Sequence, residues 1–360
     1  MSKIISIGTA LPAYCHNQMD ILTFMQQVYA PSEADKRKMR FLYHQSGIQQ
    51  RYSVIADYSR PIQDWKFYPQ TEGLEPFPTL EHRMSVFIKQ APQLSVDAIR
   101  NCLQNVLHHK DVTHLITVSC TGLSAPGLDL QVMELMDLKK DIFRTSVNFM
   151  GCYAAIHALK LAHAICESDA DAKVVLVCTE LCTLHFQREA TMDNITSSLL
   201  FSDGSAAVLV TGKNMDADGI HIDRFYSEVI PKGKRDMAWE LSSSGFLMTL
   251  SGYVPELIEE DFEAVLDKAL NKSGLDKNDV SHWCIHPGGK RILEAIQKSA
   301  GLDKTQLSCS YEVLNDFGNL SSATILFVLK KMMQEKSAIK NLFGAAFGPG
   351  LTVETFIAHY

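Results

Sequence analysis

The chain has 360 residues, 46% hydrophobic and 21% charged, with a net charge of −7. That is the composition of a globular protein long enough for two core-bearing units. The acidic balance, with a pI of about 6.0, excludes a nucleic-acid binder or a protein of polybasic membrane surfaces.

The N-terminus reads as a short apolar strand and a turn (Ile4, Ile5, Ile7, then Gly8, Pro12). It lacks a long apolar region before a small-residue cleavage site, so no signal peptide is expected. No stretch approaches the roughly 18 consecutive apolar residues of a membrane helix. Nine cysteines at irregular spacing fit a reducing compartment, where most thiols are small core residues. A cytoplasmic location without membrane insertion is therefore expected.

Periodicity predicts alternating strands and helices, the pattern of an α/β chain. Strands are expected at Lys3–Ile7, His114–Ser119, Lys173–Thr179 and Ala206–Val210, with helices at Leu128–Leu138 and Cys152–Glu167. The turn-rich segment Gly212–Gly219 reads as a join, dividing the chain into halves at residues 1–212 and 213–360. The second half predicts strands Ile220–Tyr226 and His282–His286, and helices Glu256–Ser273, Arg291–Ala300 and Ser321–Gln334. Strands Ala338–Ala346 and Thr352–His359 form a hairpin through Phe347-Gly-Pro-Gly350. In each half a reactive side chain stands where an apolar helix begins, at Cys152 and at Asn319. This parallel reads as an ancient duplication.

Three residues have chemical potential. Cys152 follows Gly151 at the start of a helix apolar nearly all round. Free N–H groups and the positive end of the helix dipole favour a thiolate there and offer an oxyanion site. Without further context the same residue reads as a small core cysteine. His286 ends a strand before Pro287-Gly288-Gly289; it is equally a cap or core histidine and an imidazole that pairs with a thiolate or donates to a thioester oxygen. Asn319 in Gly318-Asn-Leu-Ser-Ser322 can donate its amide to a carbonyl or enolate oxygen, although alone it reads as a helix N-cap.

Cys178, Cys182 and His185 form C-x₃-C-x₂-H. A structural zinc site needs four ligands, and no fourth lies near. Core or cavity lining is expected, and no metal. His108 and His109 read as solvated surface. Dinucleotide, P-loop, zincin and nucleophile-elbow serine motifs are absent.

Taken together and in this order, Cys152, His286 and Asn319 resemble the Cys-His-Asn condensing enzymes. Gly344-Ala-Ala-Phe-Gly-Pro-Gly-Leu-Thr-Val-Glu-Thr355 resembles the C-terminal motif of the chalcone and stilbene synthases and their bacterial relatives, the type III polyketide synthases. Phe201-Ser-Asp-Gly-Ser-Ala-Ala207, Ile285-His-Pro-Gly-Gly289 and Gly318-Asn-Leu-Ser-Ser322 resemble further segments of that family. Ser119-Cys-Thr-Gly122 with Ala125-Pro-Gly127 resembles its stretch beside the dimer interface. The likeness runs over nearly the whole length.

The resemblance implies a thiolase-like αβαβα layered fold and a homodimer. It implies a decarboxylative condensation of an acyl-CoA starter with malonyl-CoA, with Cys152 as nucleophile and His286 and Asn319 stabilising the enolate. CoA thioesters are then substrates and no cofactor is needed. Phe201 matches the family's gatekeeping phenylalanine. By the same likeness, Met248, His185, Cys182, Trp239, Gly288, Gly289, Phe347, Gly348 and Pro349 border the substrate, and Arg51 and Lys290 meet CoA phosphates. Lys36, Arg37, Lys38 and Arg40 keep part of the family's basic CoA-binding stretch, which Gln49 and Gln50 interrupt.

Three departures stand out. Met248 replaces a second gatekeeping phenylalanine, and methionine is the more adaptable side chain. Cys182 and His185 stand where plant members have small threonines, and Trp239 falls near a frequent glycine. These residues would shrink or reshape the cavity. A ketoacyl synthase fed by an acyl carrier protein is the alternative. A hydroxymethylglutaryl-CoA synthase would need a glutamate beside Cys152, and a scaffold without turnover would not need all three polar residues.

Overall fold

The structure, a computed structural model, describes residues 2–30, 32–71, 73–335 and 339–360. The first half holds β1 (Lys3–Ala10), β2 (Tyr14–Asn17), α1 (Gln18–Tyr29), α2 (Glu33–Gln45), β3 (Gln50–Ser53), α3 (Leu80–Leu103), β4 (His114–Ser119), α4 (Leu128–Leu135), β5 (Phe143–Asn148), α5 (Ala154–Ser168), β6 (Lys173–Leu181), α6 (Met192–Leu200) and β7 (Asp203–Thr211). The second holds β8 (Ile220–Val229), β9 (Met237–Ser242), β10 (Gly245–Leu250), α7 (Val254–Asn271), β11 (His282–Ile285), α8 (Lys290–Ala300), α9 (Ser308–Phe317), α10 (Thr324–Gln334), β12 (Leu342–Gly348) and β13 (Thr352–His359).

Nine of the strands form one mixed sheet in the order β11-β12-β13-β8-β1-β7-β6-β4-β5. β4 runs parallel to β5 and β6, and β11 parallel to β12. The other neighbours are antiparallel. Outward from the β1/β8 seam, the order is β1, β7, β6, β4 on one side and β8, β13, β12, β11 on the other. Each half thus sets its first strand beside its last.

The side-chain alternation of the strands builds the layers. In β4, Ile116 and Val118 face the apolar helices α5 and α10, while Leu115 faces α3. In β11, Cys284 turns to the same central helices, while Trp283 and Ile285 turn to α7 and α8. β6 and β7, covered on both faces, are accordingly near-continuous apolar runs. The result is the expected αβαβα layering, with α5 and α10 between the two sheet halves. Among the described residues no helix is long and apolar enough to cross a membrane.

Some expected boundaries move, each for a local reason. The helix from Leu128 stops at Leu135 because Asp137 takes a left-handed φ of 49°. The helix predicted from Cys152 begins at Ala154. The helix predicted from Ser321 is broken at its start by Ser321, φ 51°, and runs as α10 only from Thr324. Of the strand Ala338–Ala346, Ala338 lies outside the described residues, and the strand runs Leu342–Gly348. The long helix α3 was not anticipated; it carries Pro92 inside, which breaks the helical reading.

β1 and α3 pack backbone to backbone at Gly8. A Cβ there would lie 2.1 Å from Cys102 N and 2.2 Å from Ala98 O. Gly8→Ala is expected to destabilise the chain by about 1–3 kcal/mol or more, the cost of overpacking. Urea unfolding of the variant checks this, and an unchanged midpoint would contradict it.

Candidate active site

The turn before α5 presents Cys152. Phe149 and Gly151 both take left-handed φ values, 60° and 79°, and the strain at Phe149 marks a site held in place by its surroundings. Gly151 lies so near Pro349 that a Cβ would stand 2.3 Å from the proline Cδ. Its N–H donates to Cys120 Sγ at 2.9 Å. The Cys152 thiol donates to Ser321 Oγ at 3.7 Å.

His286 follows the last residue of β11, and the Gly288 N–H turns back to the His286 carbonyl at 3.0 Å. The imidazole is buried, and among the described residues neither ring nitrogen has a hydrogen-bond partner. Asn319 follows Gly318, whose φ is 68°. Its Oδ1 accepts from Ser321 N–H at 2.9 Å and Thr324 Oγ1 at 3.3 Å, and its Nδ2 donates to Gly288 O at 3.1 Å. Asn319 thus folds back on the turn that follows it, but the N-cap of α10 is Ala323, with no side-chain cap bond, so the helix-cap reading of its sequence context does not hold. The same bonds orient the amide so that one N–H is left over.

Cys152, His286, Asn319 and Ser321 line a single cavity of about 520 Å³ with largely apolar walls. Burial pushes the Cys152 thiol up to about 12; the Glu180 charge adds to the rise, and the Ser321 and Asn319 side chains oppose it. The expected helix-terminus preference for a lone thiolate is outweighed by desolvation. Burial likewise pushes the His286 imidazole down to about 3. Both groups are neutral as isolated acids or bases.

The models for both domains of the chalcone and stilbene synthases match this chain, the N-terminal domain over residues 1–214 and the C-terminal domain over residues 222–360. The chain belongs to the chalcone and stilbene synthase family. A putative chalcone synthase of Bacillus subtilis is 31% identical, with 99% of this chain and 98% of that protein aligned. A probable polyketide synthase of Dictyostelium discoideum is 29% identical over 98% of this chain, which spans only 11% of that protein. Among solved structures, PKS-I of the brown alga Ectocarpus siliculosus superposes with a TM-score of 0.93 at 25% identity, covering 99% of this chain and 98% of that one. The C-terminal type III polyketide synthase domain of Steely1 from Dictyostelium gives 0.92 at 28%, covering 99% of both chains. This family member is a condensing enzyme of the type III polyketide synthase class.

Most pocket residues named from the family likeness do border the cavity: Phe201, Met248, His185, Cys182, Trp239, Gly288, Gly289, Phe347 and Pro349. Gly348 does not. It packs behind the wall, where a Cβ would stand 2.5 Å from the Tyr153 ring and 3.4 Å from Cys152 N. Lys290 borders the cavity with its side chain 34% exposed. Arg51 also reaches the cavity but is only 4% exposed. Its Nε and Nη1 are spent on Gln18 Oε1 and Phe201 O, so it faces inward rather than a phosphate at the surface.

His185 forms part of the wall. Its Nε2 lies 2.7 Å from Thr121 O and must donate to it, and Nδ1 accepts from Phe246 N–H at 3.1 Å. The ring stacks on Phe246 at 4.2 Å and meets Trp239 edge-on at 5.7 Å. Trp239 Nε1 donates to Cys120 O at 2.7 Å. With both its nitrogens engaged by backbone groups, His185 shapes the wall.

Ser321 and Glu180 went unremarked in the sequence. Ser321 stands two residues after Asn319, and the turn Gly318–Ser322 was the available signal. The Glu180 carboxylate accepts from Ser322 Oγ, Cys120 N–H and Thr121 Oγ1 at 2.5, 2.9 and 2.8 Å. It is the glutamate near Cys152 that the sequence could not place, but it is fully buried and does not line the cavity.

Burial pushes Glu180 up to about 7, against the hydrogen bonds that favour its charged form. An acid with a raised folded value favours folding most below its unfolded value, and this contribution is lost as pH rises through the folded one. Stability should therefore fall between about pH 4.5 and about pH 7 on this group's account. Glu180→Gln, which can still accept with one atom and donate to Ser322 with the other, is expected to flatten that fall. Urea midpoints of both proteins at pH 5 and 7.5 check it; parallel curves would contradict it.

Proposed function

We propose that Cys152, His286 and Asn319 carry a decarboxylative condensation between an acyl-CoA starter and malonyl-CoA. The observation that carries this reading is the set of unspent polar atoms. Neither nitrogen of the buried His286, one a donor and one an acceptor in the neutral ring, has a partner among the described residues, one N–H of Asn319 is left over, and both residues line the cavity that holds Cys152. Buried polar groups normally have partners, and a thioester oxygen supplies one.

The thiol proton passes to the imidazole. Either charge alone is disfavoured in this cavity, but the thiolate and imidazolium stabilise each other. Sγ attacks the starter thioester, the acyl–S bond to CoA breaks, and CoA leaves with the imidazolium proton. Malonyl-CoA then sets its thioester oxygen against the N–H groups of His286 and Asn319. Carbon dioxide departs, and the electron pair of the broken C–C bond enters the enolate that those donors stabilise. The enolate carbon attacks the acyl carbonyl on Cys152, the C–S bond breaks, and the departing thiolate takes a proton from water to restore the thiol for the next cycle. The apolar Phe201 face disfavours a carboxylate and so favours its loss. No step calls on a metal or redox group.

Lys290 is the candidate for a CoA phosphate contact. The division into thiolase-like halves at 212/213 is supported by the repeated strand order. The exposed edge strand β5, with Phe143 71% exposed, supports a homodimer, and a cytoplasmic location fits the reduced cysteines. The family match favours free CoA thioesters over a carrier-protein substrate.

Release of carbon dioxide from labelled malonyl-CoA, with short, long and aromatic acyl-CoA starters and mass spectrometry of the products, tests the reading. Starter-dependent release with a polyketide or pyrone product is expected; acyl loading from a carrier protein alone would overturn it. Cys152→Ala is expected to abolish loading and condensation while leaving malonyl-CoA decarboxylation, because both donors remain. Full condensation by this variant would remove Cys152 from its role. His286→Ala is expected to slow iodoacetamide alkylation of Cys152 at pH 7 by about ten-fold or more and to move its pH profile upward, since an opposite charge lowers a thiol's titration. An unchanged profile would separate the two residues.

A further inference from the structure

Phe201 and Asn319 lie on different elements, yet their backbones are tied together. Asn319 N–H donates to Leu200 O, and Ser202 N–H donates to Asn319 O, both at 2.9 Å. The pair forms a one-residue parallel bridge. Behind this bridge lies a side-chain clamp. Arg51 Nε donates to Gln18 Oε1 at 2.8 Å, Arg51 Nη1 donates to Phe201 O at 2.6 Å, and Gln18 Nε2 donates to Leu199 O at 3.0 Å. Two side chains thereby hold the carbonyls of residues 199 and 201.

The same arginine touches the other wall. A Cβ on Gly318 would stand 2.9 Å from Arg51 Cγ and 3.0 Å from Leu200 O. The stem of Arg51 thus fills the space against the residue before Asn319. The neighbouring Tyr52 reinforces the contact: its N–H donates to Ser202 Oγ at 2.8 Å, and Ser202 Oγ donates to its carbonyl at 2.9 Å.

Arg51 and Gln18 are 4% and 1% exposed. Among the described residues no carboxylate hydrogen-bonds the guanidinium: Nε and Nη1 meet one amide oxygen and one carbonyl, the Tyr43 hydroxyl lies beside it, and the Asp203 charge acts on it from farther off. Such a buried charge is costly, and an apolar side chain of like volume would hold the fold as well or better. What an apolar side chain lacks is a rigid planar fork that fixes two acceptors at once.

We propose that Arg51, gripped by Gln18, is a positioning residue that sets the Phe201 and Asn319 walls in register with Cys152. It rests on the roles given above to Phe201 and Asn319. The clamp does not touch the thiol, so loading of Cys152 is insulated from it. Decarboxylation depends on where the Asn319 amide and the Phe201 ring stand, so it is not.

Arg51→Met and Arg51→Lys in the full chain test this, after circular dichroism and melting curves. Acyl transfer from acyl-CoA to Cys152 is followed by protein mass spectrometry, and labelled carbon dioxide release from malonyl-CoA is followed separately. Loading is expected to change little. Carbon dioxide release is expected to fall roughly 10²-fold in Arg51→Met, the usual effect of a small misplacement of reacting groups. Arg51→Lys keeps one donor for the Phe201 carbonyl and should lie between. A folded Arg51→Met with wild-type release overturns the inference. So does a loss of loading and release together, in step with melting temperature. If Arg51→Met does not fold, Gln18→Met, which frees one side of the guanidinium, is judged by the same split. Asn319→Ala separates the two levels. Wild-type release by Asn319→Ala removes the reading of the site and this inference with it. Impaired release there, with unimpaired release in Arg51→Met, removes the inference alone.

Discussion

A thiol, an imidazole and an amide share one apolar cavity, and the cost of placing a single charge there governs what each of them does. Desolvation pushes Cys152 up to about 12 and His286 down to about 3. Neither is a charged group in waiting. In the proposed mechanism the charged state is the one made by moving a proton between them, each charge then lying in the field of the other with little water to dilute it. In the same proposal the exclusion of water favours loss of a malonyl carboxylate as neutral carbon dioxide. Two carboxyls stand close behind the walls, Glu180 and Asp203. Burial pushes them up to about 7 and about 6, and each carries several hydrogen bonds. Neither lines the cavity.

How much was legible follows from how local each feature is. Cys152, His286 and Asn319 could be read because glycines and a proline beside them, Gly151, Pro287 with Gly288 and Gly289, and Gly318, mark the turns that present them. β4 and β13 could be read to the residue because their apolar runs are short and bounded by turns. Glu180 could not, because its hydrogen bond to Ser322 spans 142 residues of chain. Arg51 reads, by the family likeness, as a contact for a CoA phosphate. Its burial comes from packing against Gln18, Phe201 and Gly318, which lie far from it in sequence. The β9–β10 hairpin carries side chains half-buried at a cavity rather than in a core, so neither period stood out.

The departures from the plant pattern fall on one wall, and they differ in stiffness. His185 is fixed on both ring nitrogens and sandwiched with Phe246, and Trp239 is tied by its indole N–H to Cys120 O. Met248, opposite Trp239 in the hairpin register, has no such tether. A rigid aromatic corner beside a pliable thioether gives a cavity whose size is bounded on one side and adjustable on the other.

Cys152 belongs to the first half of the chain, but its seat is made by the second. Gly151 closes on Pro349, Gly348 fits under Tyr153, and Lys160 of α5 meets the buried Glu354 of β13 at 2.7 Å. Residues on either side of this seam cannot drift independently, since one added methyl group on Gly151 or Gly348 meets the opposite half. Domain shuffling between relatives would therefore be punished at this joint rather than at the chemistry. Recombinants that splice the two halves keep this joint closed when the turn before α5 and the β12–β13 hairpin come from the same parent.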